Sequence, residues 1–237
     1  MRNKIKKIVI TVIILCVIGI PVGKRWYNHH AIQFKDENMA KLMANICHKT
    51  YDEEMEITPE DLKKKYALDI GYVGYYDTLE DLKWCKNLEL LYIDLGVYES
   101  NDAAYVIAQG EAPGEVTKEK VKQYEKELGK VLPKMKNLKD LYIASNKGCM
   151  WESLDFLEGC DQIEGISMYE FKVTDYSVLK QCKSLKEIAF FDCPISKADD
   201  LLGLENLEYI GISGTPLAEN REELTKLKEA YPNAEYK

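Results

Sequence analysis

Histidine, the side chain most often used as general base or metal ligand near neutral pH, occurs only at positions 29, 30 and 48. His29 and His30 follow an apolar, membrane-type segment, where histidines are more often interfacial than ligating, and His48 is expected at the end of a short helix, where a ring or cation is unremarkable. The seven cysteines (16, 47, 85, 149, 160, 182 and 193) contain no CxxC pair and no Cys/His spacing suited to zinc. An odd count also does not read as a closed disulfide framework, although a bond between Cys47 and Cys149 stays open. The paired acids Asp52-Glu53-Glu54 and Asp199-Asp200 are sequence neighbours in polar stretches, where carboxylates are ordinarily solvated rather than tuned. No nucleophile elbow, phosphate-cradling glycine loop or zinc-protease helix is present. The expectation is a protein without catalytic residues, cofactor or metal, that is, no enzyme.

The elements that position side chains must therefore be read for recognition. With 237 residues, 46% of them hydrophobic and 30% charged, the chain can bury one substantial core and still carry an appendage. Its net charge of −8 is unevenly spread: residues 1–30 hold six basic and no acidic side chains, leaving 26 basic against 40 acidic beyond them. A domain with that excess of carboxylates repels phosphate backbones, so nucleic acid is excluded as a partner.

The basic head Arg2, Lys4, Lys6, Lys7 precedes an apolar run over 8–22, then Lys24, Arg25, Trp26 and Tyr27. The pattern predicts a signal anchor over 1–30 with the membrane contacted by 8–27, the head inside and the remainder extracytoplasmic. Fifteen helical residues cover only about 22 Å of a roughly 30 Å core, so flanking cations and rings must lengthen the span by snorkelling. The competing reading is a cleaved signal peptide, whose apolar region has about this length.

Beyond residue 66 the chain repeats. Five lines read apolar-x-x-apolar-x-apolar: Leu88–Leu91–Ile93, Leu138–Leu141–Ile143, Ile163–Ile166–Met168, Leu185–Ile188–Phe190 and Leu207–Ile210–Ile212. Their anchors lie 50, 25, 22 and 22 residues apart. Asn87, Asn137, Gln162, Ser184 and Asn206 stand just before the anchors, and Cys85, Met135, Cys160, Cys182 and Leu204 three residues before them. The alternating segment of each line is a strand with one buried face, which a single unit cannot cover, so units must stack. The cysteines of that column, and Cys193, are then small buried hydrophobes rather than reactive thiols.

These columns resemble the leucine-rich-repeat family, and the roughly 22-residue spacing resembles its internalin-like bacterial repeats. Asn146, Cys193 and Thr215 fall where that family places its ladder residue, while Phe171 and Gly96 depart from it. The resemblance implies an α/β solenoid with a curved parallel sheet over 67–237, whose concave face takes protein partners or surface ligands.

The ends and one interruption complete the organisation. Residues 36–50 put Met39, Leu42, Met43 and Ile46 on one helical face, and Thr58-Pro59 reads as a second helix start, together a helical N-terminal cap over 31–66. An insertion at 97–130 holds a helix from Thr117 to Leu128, expected to stop at Gly129. It is either a binding loop or a repeat with an enlarged outer helix. A last helix is expected over 222–230, with Leu224 and Leu227 as its apolar positions.

The outward strand positions are the candidate binding face. Two, four and six residues after each anchor stand Leu90, Asp140, Gly165, Glu187 and Tyr209; then Tyr92, Tyr142, Ser167, Ala189 and Gly211; then Asp94, Ala144, Tyr169, Phe191 and Ser213. Tyr92, Asp94, Asp140, Tyr142, Tyr169, Glu187, Phe191 and Tyr209 form the expected site. Rings on one sheet face suit recognition, because tyrosine is large, amphipathic and cheap to order; the competing explanation is cross-strand packing. The function expected is a membrane-anchored extracytoplasmic binding scaffold. The alternatives are an accessory structural subunit of a cell-envelope assembly, or a secreted protein after signal-peptide cleavage.

Overall fold

The computed structural model describes residues 31–51, 56–93, 114–145 and 150–237. The expected signal anchor, His29, His30, Cys16, Cys149, Asp94, Asn146, Gly96 and the first part of the insertion lie outside the described residues. Among the described residues no helix is long and apolar enough to cross a membrane.

Seven strands form one sheet: β1 (Ala67–Asp69), β2 (Leu90–Ile93), β3 (Asp140–Ala144), β4 (Gly165–Tyr169), β5 (Glu187–Phe191), β6 (Tyr209–Gly211) and β7 (Glu235–Tyr236). They lie side by side in sequence order and every neighbouring pair is parallel. This is the solenoid that the repeat columns require. Leu91, Leu141, Ile166 and Ile188 are register partners, as are Ile93, Ile143, Met168 and Phe190. All eight are at most 1% exposed, so each column is a continuous buried stack. Fully burying one such side chain stabilises by about 1.5–3 kcal/mol, which is why one coil alone would not hold.

Two strands extend the five aligned lines. Ala67–Asp69 pairs with β2 through Leu68 and Leu91, and Glu235–Tyr236 pairs with β6. Opposite the sheet, coils return through single 3-10 turns, at Glu80–Trp84, Asp155–Leu157, Ser177–Gln181 and Ala198–Asp200. The amide column before the anchors has a physical role: Asn87, Asn137, Gln162 and Asn206 each donate to a carbonyl of the preceding coil, at 2.8, 3.1, 2.9 and 3.0 Å. At the ladder position Thr215 Oγ1 donates to the Ile212 carbonyl at 2.7 Å, Cys193 Sγ lies 3.4 Å from that of Phe191, and Phe171 fills the space with its ring.

The N-terminal cap is helix α1 (Glu37–Ile46) followed by the single turn α2 (Pro59–Leu62). Met39, Leu42 and Met43 are fully buried, and Ile46 is half-buried. Asp36 caps α1 by accepting the Met39 N–H at 2.7 Å, and Thr58 and Asp61 close a capping box on α2. The cap is stitched to the first coil by carboxylates. Asp81 Oδ2 accepts the Lys35 and Asp36 N–H groups at 2.7 and 2.9 Å, while Asp36 Oδ2 receives the Thr78 N–H.

Within the insertion, α3 (Lys118–Val131) begins one residue later than expected, with Thr117 as its cap, and it does not stop at Gly129. It continues to Val131 and into a 3-10 turn at Leu132–Lys134. Gly129 serves close approach instead of termination: a Cβ there would stand 3.4 Å from the Phe156 Cα of the next coil. Val121, Tyr124 and Leu128 are buried, with the Tyr124 hydroxyl donating to the Val73 carbonyl at 3.1 Å. Thus α3 packs as the outer helix of its coil, and the sheet passes from β2 to β3 without a break in register. At the other end, after the short turn α4 (Pro216–Glu219), Asn220 caps α5 (Arg221–Ala230), which buries Leu227.

Candidate functional site

Parallel pairing turns the alignment columns into rows on the outward face of the sheet, with neighbouring residues of a row about 4.8 Å apart. One row is Leu90, Asp140, Gly165, Glu187, Tyr209, Glu235. The next is Asp69, Tyr92, Tyr142, Ser167, Ala189, Gly211. The third is Ala144, Tyr169, Phe191. Of the eight expected site residues, the structure brings seven onto this one face; the eighth is Asp94.

The rings are arranged as two stacks. Tyr92 and Tyr142 have centroids 4.7 Å apart at 28°, and Tyr169 and Phe191 have centroids 4.7 Å apart at 19°. Each ring is half-buried, so one face is used in cross-strand packing and the other edge meets solvent. Recognition and packing are therefore not exclusive here. Tyr209 stands apart from both stacks, leaning over Gly211, whose added Cβ would lie 3.3 Å from its ring.

Beside the stacks the face carries small residues. Gly165, Ser167, Ala189 and Gly211 are contiguous across three strands and carry almost no side chain. Asp140 lies across Gly165, where a Cβ would collide with its Oδ1, and Glu187 projects from the far side. Burial, and then the facing carboxylates of Glu187 and Glu164, hold the Asp140 carboxyl above the usual aspartate range. Burial, with Tyr92 and Asp140 beside it, also pushes the Tyr142 phenol up.

Below these rows, at the start of the strands, charge is neutralised internally. Glu164 pairs with Lys186 at 2.7 Å and Lys139 at 3.1 Å, and hydrogen bonds from these two lysines lower its carboxyl. Lys139 is exposed and Glu164 and Lys186 are half-buried at the surface, where such pairs contribute little, so this ladder sets local charge more than stability.

Two contributions to the face escaped the sequence. Asp69 enters the tyrosine row through β1, whose signal was Leu68-x-Ile70 standing 23 residues before Leu91-x-Ile93. Lys237 reaches over Tyr209, its ammonium 5.8 Å from the ring centroid and 3.9 Å from Glu235 Oε1. Among the described residues no group of three or more His, Cys, Asp or Glu side chains is placed to hold a metal ion. Burial pushes the thiols of Cys85 and Cys160 up to about 12 and those of Cys182 and Cys193 to about 11, so none is a thiolate nucleophile at neutral pH.

No family model matches the chain, and no curated protein does. Among solved structures it is similar to an internalin C2 of Listeria monocytogenes, with TM-score 0.49 and 16% identity over 86% of this chain and 83% of that one. It is also similar to a leucine-rich-repeat protein of Leptospira interrogans, with TM-score 0.41 and 12% identity over 68% of this chain and 34% of that one. An internalin of Listeria monocytogenes gives TM-score 0.30 and 14% identity over 86% and 68%. The fold assignment rests on the strand order and the repeat columns, not on these similarities.

Proposed function

We propose that the chain is a membrane-anchored extracytoplasmic scaffold that binds a protein partner on the outward face of its sheet and performs no catalysis. The observation that carries this reading is the pair of aromatic stacks, Tyr92–Tyr142 and Tyr169–Phe191, beside small residues on that face. Stabilising the sheet needs rings in contact; it does not need them set beside a patch of small residues with the carboxylates of Asp140 and Glu187 next to it. The anchor is read from the basic head and apolar run of residues 1–30.

Photo-crosslinking tests the binding face. The full chain carries benzoylphenylalanine in place of Phe191, or of Glu158 on an exposed turn opposite the sheet, in cells that express it. Discrete adducts from position 191 and none from 158 are expected. No adduct at 191, or the same set from both positions, would overturn the reading.

A further inference from the structure

The occupant's chemistry is written in the charges and rings of this same face. The described outward positions of the seven strands carry Asp69, Asp140, Glu187 and Glu235 and no cation; Lys237 follows β7. Residues beyond the first thirty hold 26 basic and 40 acidic side chains, so a cationic segment is drawn toward the domain as a whole. The face singles out where it would sit. The lysine ladder below neutralises Glu164, whereas Asp140 and Glu187 make no ion pair among the described residues.

Lys237 shows what such a pairing does. Tyr209 and Glu235 are register partners in one row, and the Lys237 ammonium settles between that ring and that carboxylate. Ring and carboxylate together attract a cation more than either alone, because the ring's negative face and the carboxylate charge act on the same group. Tyr142, with Asp140 two residues before it on the same strand, sets another ring and carboxylate near each other, here along a strand rather than across two.

We infer that a basic segment of a partner polypeptide docks here, placing an arginine side chain over Ser167 and Ala189 with its guanidinium beside the Tyr142 ring and the Asp140 and Glu187 carboxylates. Arginine is favoured over lysine because its planar head stacks on a ring while its fork binds a carboxylate. Ser167 and Ala189 are small enough to admit the apolar stem of the side chain. The inference rests on the proposed binding face, and adds which chemistry that face selects.

The test uses fluorescence anisotropy of labelled hexa-arginine, hexa-lysine and hexa-glutamate peptides with the full chain in a neutral maltoside detergent at low salt. Hexa-arginine is expected to bind, hexa-lysine several-fold more weakly, and hexa-glutamate not at all. Asp140→Asn with Glu187→Gln should weaken hexa-arginine about tenfold, while Glu158→Gln with Glu205→Gln, which removes the same charge elsewhere, should change it less than about twofold. Tyr142→Leu should lessen the arginine-over-lysine preference. Circular dichroism melts on each variant separate loss of binding from loss of fold. Equal weakening by the two charge pairs would overturn the inference, because the attraction would then belong to net charge. So would absence of hexa-arginine binding. If adducts still form from position 191 in that case, the cation slot falls and the binding face stands; if neither is seen, both fall.

Discussion

Tyr169 and Phe191 are register partners on adjacent parallel strands, and their rings stack 4.7 Å apart while each keeps an edge in solvent. Such a pair contributes about 0.5–1.5 kcal/mol beyond the area it buries. Replacing both by serine is therefore expected to cost about 1–2 kcal/mol, clearly less than the about 2–5 kcal/mol expected of Leu141→Ala in the buried column. Urea denaturation of the three proteins measures this. A double variant as damaged as Leu141→Ala would make the pair part of the core.

The cap joint gives a pH dependence. Asp81 is fully buried, accepts two backbone N–H groups on Oδ2, and leaves Oδ1 without a partner. Burial holds its carboxyl above the usual aspartate range. An acid raised in the folded state contributes its stability below the unfolded value of about 3.9 and loses it as pH rises through the folded value. Asp81→Asn does not titrate, so the native chain should lose stability relative to this variant as pH climbs above about 3.9, then level off. Denaturation midpoints at stepped pH check the sign. A native advantage that grows with pH would show that the two N–H donors outweigh burial.

Much of this architecture was legible in the sequence, because a solenoid repeats its demands. Leu141, Ile166, Ile188 and Ile210 occupy equivalent sites, so one column disclosed the strands, their order and their register together. The irregular pieces obeyed local packing that no column records. Gly129 looked like a helix stop, yet α3 runs past it because Phe156 comes so close. β1 lacked an apolar anchor and was not aligned, and the couple of Lys237 with Tyr209 depends on a strand, β7, only two residues long. Of the site, the alignment revealed which residues share a face and that its rings could pack across strands; which rings stack, and the lie of Asp140 across Gly165, are side-chain geometry and were not legible.

Thiol reactivity should separate the cysteines. Cys85, Cys160, Cys182 and Cys193 are buried, whereas Cys47 is half-buried at the end of α1. Brief alkylation of the native full chain, read peptide by peptide in a mass spectrometer, is expected to label Cys47 well before these four, and all five in denaturant. Rapid native labelling of Cys160 or Cys182 would contradict their place in the inner column.

The anchor is tested by fractionation. The full chain is expected to stay with membranes through carbonate washing, and protease added outside the cells should digest the repeat domain. A soluble form beginning near residue 20 would establish cleavage instead.

The central claim, that the outward sheet face is the working surface, is tested most directly by hydroxyl-radical footprinting in intact cells and on the purified full chain. Tyr142, Tyr169, Phe191 and Tyr209 share that face, and Tyr66, 68% exposed at its margin, serves as reference. The rings of the face are expected to oxidise at least about threefold more slowly in cells than in isolation, with Tyr66 little changed, because an occupied interface excludes solvent from its centre. Equal oxidation of the four rings in both settings would contradict the claim.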